Sequence, residues 1–267
     1  MKVKNKFYFS TKAQNLYNIR TKIKSFLFTN FYFFTLNEWV SEKKLILKKI
    51  KKIFLNKKIA IRSSSVYEDQ LDYSFAGSSK TFLNISLKKN NDKKIVNLIN
   101  QVIKSYKNPV LQNEILIHKM VNNPLISGVI TTKHLNSNGP YISINYYKSY
   151  KTDIVTSGVK STQTINIFKK TKKLPKKFKI FNNLYKATIE LLNFVNGKDL
   201  DIEFVLDNHF KPYLIQFRPL VNKYKYNENY IINKISKLLK QEKSFFNQAN
   251  KNQRGLIVKK NIFATMP

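Results

Sequence analysis

A chain of 267 residues with 42% hydrophobic and 13% aromatic content is long enough to bury a substantial core, as one large domain or two lobes. It has no cysteine, which excludes a disulfide framework, thiolate metal sites and thiol catalysis, and only His118, His134 and His209 offer imidazole, so zinc chemistry is disfavoured. The formal charge of +34 raises nucleic acid or an anionic membrane as partners, yet the lysines are scattered in pairs such as Lys43-Lys44, Lys88-Lys89 and Lys172-Lys173 among abundant Asn, Ile, Phe and Tyr, the pattern of a general basic drift with solvated faces.

The first expected element is a helix over residues 11–24 with Ser10 or Thr11 as N-cap. Residues 26–34 are the most apolar window, but Thr29 and Asn30 interrupt it and it is far short of the roughly 20 residues of a membrane helix, so it reads as a buried strand. With no secretory signal pattern at the start, the expected location is cytoplasmic. Residues 41–55 read as a second helix, Ser41 capping it and Leu45, Ile46, Leu47, Ile50, Ile53 and Phe54 recurring near helical spacing. A short strand, Lys58 to Ile61, delivers the chain into a loop starting at Arg62, and residues 92–106 form a third helix with Ile95, Leu98, Ile99, Val102 and Ile103 on its apolar face.

From about residue 113 strands dominate: Ile115 to Met120, Ser127 to Thr132, and Tyr141 to Tyr146, with a strong turn signal at Asn136-Ser137-Asn138-Gly139-Pro140. A helix over roughly 178–195 leads to a hairpin, Leu200 to Leu206 and Tyr213 to Phe217, around Asp207-Asn208-His209. An amphipathic helix over 224–246 and a tail ending at Pro267 follow.

Two places carry chemistry. In residues 61–85, Arg62 can fork onto phosphate, Ser63, Ser64 and Ser65 can donate hydrogen bonds, and Gly77 lets backbone N–H groups approach an anion. No P-loop pattern is present, so a nucleotide site here is of another kind. In the hairpin, Asp201 and Glu203 share one face because side chains alternate, while Ile202 points to the core. A connection from Asp207 to Pro212 sets Glu203 opposite Gln216 and Asp201 opposite Arg218. Two carboxylates and an amide oxygen suit Mg2+, and Arg218 suits a phosphate oxygen. The alternative is an ordinary salt-bridged surface hairpin, and the presence of four of the 15 acids within 199–207 weighs toward function in so acid-poor a chain.

Three motifs in one order carry a resemblance. Arg62-Ser63-Ser64 through Glu68-Asp69, with Ser74-Phe75-Ala76-Gly77 and Thr81-Phe82-Leu83-Asn84, is similar to the signature of the ATP-binding domain of pyruvate phosphate dikinase and phosphoenolpyruvate synthase. Ile117-His118-Lys119-Met120-Val121 with Ser127-Gly128-Val129 resembles that family's next strand pair, and Asp201-Ile202-Glu203 with Leu214-Ile215-Gln216-Phe217-Arg218-Pro219 its closing motif. The resemblance spans about residues 10 to 221 and implies an α+β, ATP-grasp-like fold, two lobes clamping ATP, the second lobe mainly antiparallel sheet. The expected division is 1–110 for the first lobe with the phosphate loop, 111–222 for the second with the metal hairpin, and 223–267 for a helix and connecting tail.

The chemistry the resemblance implies is a kinase-type phosphotransfer: the β-phosphoryl group of ATP passes to a histidine on a swivelling domain, leaving AMP and phosphate. Position by position, Arg62 and Arg218 resemble the catalytic phosphate arginines, Lys12 the phosphate lysine, and Gly77 and Thr81 the loop over the phosphates. Asp201, Glu203 and Gln216 resemble the Mg2+ ligands, and His118 with Lys119 lies where the family holds the nucleotide base. The sequence departs from the family pattern in three places. Ser10-Thr11 replaces Gly-Gly before Lys12, His118 replaces a glutamine, and of the Gly-rich segment over 146–158 only Ser157-Gly158 is retained. None of the three histidines lies outside the nucleotide-binding region, so the expected partners are ATP and a phosphohistidine swivelling domain and pyruvate-binding domain supplied elsewhere, with neither membrane nor nucleic acid favoured. Other readings are the same domain in a glucan or drug dikinase, a non-catalytic remnant, and a basic nucleic-acid-binding protein.

Overall fold

Thr35 ends one strand and starts the next helix, and that junction shows how this sequence builds its first layer. In the computed structural model, which describes residues 7–66, 80–107, 109–135, 137–148, 163–220 and 228–252, strand β1 (Phe31–Thr35) runs directly into helix α2 (Leu36–Phe54). The Thr35 side chain accepts from the Glu38 backbone N–H, and the Glu38 carboxylate accepts from the Thr35 backbone N–H, a capping box. The helix therefore begins five residues before the expected Ser41. Ser41 lies inside it, bonding the Asn37 carbonyl at 3.1 Å, and the non-helical Glu42 (φ −123°, ψ 25°) follows where that back-bonding competes with the helical ladder.

The first sheet is antiparallel, in the order β1, β4 (Glu114–Lys119), β2 (Lys58–Ser64), β3 (Thr81–Ser86). One face carries Phe34, Ile59, Ile61, Ile115 and Ile117, packed under α2 and α3 (Asp92–Lys104). Helix α3 contributes Ile95, Ile99 and Val102 at helical spacing, each worth about 1.5–3 kcal/mol on burial. The other face carries Arg62, Ser64, Glu114, Leu116 and His118, placed there by the same alternation.

The second sheet is also antiparallel, ordered β7 (Gln163–Phe168), β6 (Tyr141–Lys148), β5 (Pro124–Thr131), β8 (Leu200–Asp207), β9 (Pro212–Pro219). Ile130, Ile144, Ile165, Ile202 and Phe217 form its apolar face against helix α4 (Asn182–Phe194), which a 3-10 turn over Lys176–Phe181 introduces. Gly128 permits a close approach here: a Cβ would stand 2.2 Å from the Asn145 carbonyl and 2.9 Å from the Phe204 ring.

Two segments tie the sheets together. Helix α1 (Lys12–Ile19), shorter than expected and capped by Thr11, touches both β4 and β9 and sends Leu16 and Ile19 into the core of the second sheet. The apolar window splits at Thr29-Asn30 rather than forming one strand. Leu27 bridges Tyr213 in β9, exchanging bonds with Pro212 and Leu214, while Phe31 onward pairs with β4. Residues 224–267 form a separate unit whose described part is helix α5 (Glu228–Asn252). Among the described residues, no helix is long and apolar enough to cross a membrane.

Candidate functional site

The polar faces of the two sheets meet. On β8, Asp201, Glu203 and Val205 share a face, and their partners on β9 are Arg218 for Asp201 and Gln216 for Glu203, as the sequence predicts. The turn differs: pairing starts at Leu206 with Pro212, and a β-bulge at Ile215 restores the expected partners further along. Asp207 shapes the turn by accepting from the backbone N–H groups of His209 and Lys211, both at 2.9 Å.

Arg62 reaches across from β2 and donates to Glu203 at 2.7 Å, with side-chain exposures of 11% and 24%. Arg218 donates to one oxygen of Asp201 twice, from Nε at 3.0 Å and from an Nη at 2.8 Å. Burial pushes the Glu203 carboxyl up, but the Arg62 charge and hydrogen bond, with Lys12 and Arg218 behind them, outweigh it and hold the group below its ordinary value. Asp201 goes the other way: burial raises it, and Arg218 only partly compensates.

Lys12 acts on both carboxylates electrostatically from the first turn of α1. That turn is fixed by a buried carboxylate. Glu114 accepts from the Thr11 hydroxyl, from the Gln14 amide at 2.9 Å and from the Ser64 hydroxyl at 3.2 Å. Ser64 in turn accepts from the Ala13 backbone N–H at 3.0 Å. Two residues from Arg62 on the same strand face, this cluster ties Lys12 to the site.

His118 is buried beside the Arg62–Glu203 pair, and its Nδ1 sits 3.2 Å from the Lys119 carbonyl. Burial first and the Arg62 charge second lower its pKa from 6.5 to about 3, so the ring is neutral at ordinary pH. With Nδ1 donating to that carbonyl, Nε2 carries a lone pair; it is buried and has no hydrogen-bond partner. Arg62 Nε and Ser127 Oγ are likewise buried without partners, and all three residues line one cleft. Its apolar wall is Met120, Val121, Val205 and Ile215. Unpartnered polar atoms collected in one cleft mark a surface built to meet a polar ligand.

Of the residues singled out from sequence, Lys12, Arg62, His118, Asp201, Glu203, Gln216 and Arg218 come together here. Thr81 pairs with Arg62 across the first sheet and is exposed. Lys119 projects by alternation from the opposite face of β4 to His118. Gly77 and the segment over 149–158 lie outside the described residues. The apolar wall was missed, although Val205, two residues past Glu203, was a signal available in the sequence.

Arg62 and Lys12 on one side of the cleft face the Asp201–Arg218 hairpin on the other, in an α+β domain of two antiparallel sheets. The sequence matches the family model for the AMP/ATP-binding domain of pyruvate phosphate dikinase over residues 12–190, and the chain belongs to that family. No curated protein matches the chain. Among solved structures, D-alanyl-alanine synthetase A from Vibrio cholerae is 13% identical at a TM-score of 0.41, covering 78% of this chain and 53% of its own. A RiPP-associated ATP-grasp ligase from Chryseobacterium gregarium, in complex with ADP and a leader and core peptide, is 15% identical at 0.43, covering 86% and 59%. The D-alanine-D-alanine ligase from Coxiella burnetii is 10% identical at 0.40, covering 78% and 46%. The chain thus spans about half the length of these structures.

Proposed function

We propose that the cleft binds Mg·ATP and that the domain passes a phosphoryl group from ATP to a histidine on a swivelling domain, supplied by another chain or by another part of a longer protein. The observation that carries this reading is the convergence of Arg62, Arg218 and Lys12 with Asp201, Glu203 and Gln216 across two sheets. The donor set fits the metal: two carboxylates and an amide oxygen on one face are hard oxygen ligands, few in number, leaving room for phosphate oxygens and water.

In this reading Asp201, Glu203 and Gln216 hold Mg2+, which when bound supplies charge neutralisation to the phosphates. Arg62 and Arg218 each offer a planar fork to phosphate oxygens and stabilise the charge that spreads over the transferring group. Lys12 supplies a third positive charge, and Gly77 and Thr81, the latter opening β3 beside Arg62, contribute to phosphate binding. The base lies against Met120, Val121, Val205 and Ile215, with His118 Nε2 offering an acceptor to it. His118 is no phosphoryl acceptor in this scheme, because it is buried in the wall of the nucleotide cleft. Lobe boundaries near 110 and 222 and a cytoplasmic setting complete the proposal.

Binding tests it directly. ATP should raise the melting temperature in the presence of Mg2+, and Arg62→Ala or Glu203→Ala should remove that rise; equal stabilisation of both variants and the wild type would overturn the assignment.

A further inference from the structure

Each arginine placed to meet phosphate is bonded to a carboxylate placed to meet metal. Arg62 is paired with Glu203 between the sheets, and Arg218 with Asp201 along the hairpin. Both pairs are largely buried, with side-chain exposures between 11% and 24%. Together with Lys12 the five groups carry one net positive charge.

We propose that Asp201 and Glu203 are specificity determinants that exclude metal-free nucleotide, so that the site accepts nucleotide and divalent cation only together. This rests on the reading of the cleft as the nucleotide site. A polyphosphate arriving without metal has two courses. It can sit beside two carboxylates, like charges in a poorly solvated cleft, or it can draw both guanidinium groups away and leave those carboxylates buried and unpaired. A divalent cation arriving alone meets the mirror problem, since it must take the carboxylates from the arginines. Nucleotide and cation arriving together exchange partners with both ion pairs, so that each of those four groups keeps an opposite charge beside it.

The consequence has a sign that a purely structural or purely metal-binding role does not give. Glu203→Gln removes a metal ligand, yet it should tighten metal-free nucleotide, because Arg62 is released and a negative charge is gone. The test is equilibrium binding of ADP and ATP by titration calorimetry, with EDTA or with Mg2+, for the wild type, Glu203→Gln and Asp201→Asn, with Mg2+ alone as a further titration. The wild type should bind metal-free ATP about a hundredfold more weakly than Mg·ATP, and each variant should bind metal-free nucleotide about tenfold more tightly than the wild type. A wild type that binds Mg·ATP, with variants that gain nothing in EDTA, would overturn this proposal alone. A wild type that fails to bind Mg·ATP would overturn the nucleotide site and this proposal with it. If one variant does not fold, the other decides; if neither folds, wild-type binding of Mg2+ alone as tightly as with nucleotide overturns the proposal, and much weaker binding supports it.

Discussion

Arg62 and Glu203 are 141 residues apart in sequence and meet at 2.7 Å, one on each sheet. Separately each is a charge in a poorly solvated cleft; together they let the polar faces of the two sheets stand against each other.

Breaking that pair should cost more than deleting it. Arg62→Met leaves Glu203 without its nearest cation and should destabilise the fold by about 3 kcal/mol, whereas adding Glu203→Met should recover most of the loss, since a matched apolar pair replaces two desolvated charges. Urea denaturation of both variants and the wild type measures this; a double variant no more stable than the single one would contradict it.

Glu114 is the anchor of α1. Its replacement by Ala removes the acceptor for the Thr11 and Ser64 hydroxyl protons and for the Gln14 amide, and should cost roughly 2–4 kcal/mol in denaturant unfolding. Because Lys12 sits in the turn that Glu114 fixes, the same variant should also weaken Mg·ATP binding, measured by calorimetry on the folded fraction.

His118 should make stability fall with acid. Its pKa is lowered from 6.5 to about 3 by burial and by Arg62, with the Lys119 carbonyl and Glu203 opposing. Between about pH 6.5 and about pH 3 the unfolded chain holds a proton that the folded one does not, so stability drops by up to about 1.4 kcal/mol per pH unit. The contribution is fully present above pH 6.5 and is lost as pH falls toward about 3. Urea midpoints across that window should slope for the wild type and flatten in His118→Gln; equal slopes would refute the assignment.

Gly128→Ala should be severe for so small a change. The new methyl would meet the Asn145 carbonyl at 2.2 Å, a backbone atom on the neighbouring strand that cannot swing aside. A loss of more than about 3 kcal/mol is expected in thermal or urea unfolding.

The hairpin was legible in the sequence because alternation fixes which residues share a face, so Asp201, Glu203, Gln216 and Arg218 could be grouped from spacing alone. Lys12 and Arg62 could be joined to them only through the family resemblance, since the contacts that assemble them span more than a hundred residues. The start of α2 falls earlier than the spacing predicts because the capping signal at Thr35 and Glu38 directly follows the apolar window, where strand gives way to helix without a loop. Met120, Val121, Val205 and Ile215 were invisible as a cleft wall because apolar residues in strands read equally well as core.

The extra residue at Ile215 divides β9 into two halves that are out of phase. Beyond it, Gln216 and Arg218 look toward the carboxylates; before it, Leu214 joins the core while Tyr213 packs with Val205 on the cleft side. One strand therefore presents neighbouring residues, Ile215 and Gln216, to the same cleft, one apolar and one polar. Deleting Ile215 would remove the bulge and leave both halves in their present register, Leu214 opposite Phe204 in the core and Gln216 opposite Glu203 at the cleft, with one apolar residue of the wall gone. A single inserted residue thus lets one strand carry both the apolar wall and the polar set of the cleft.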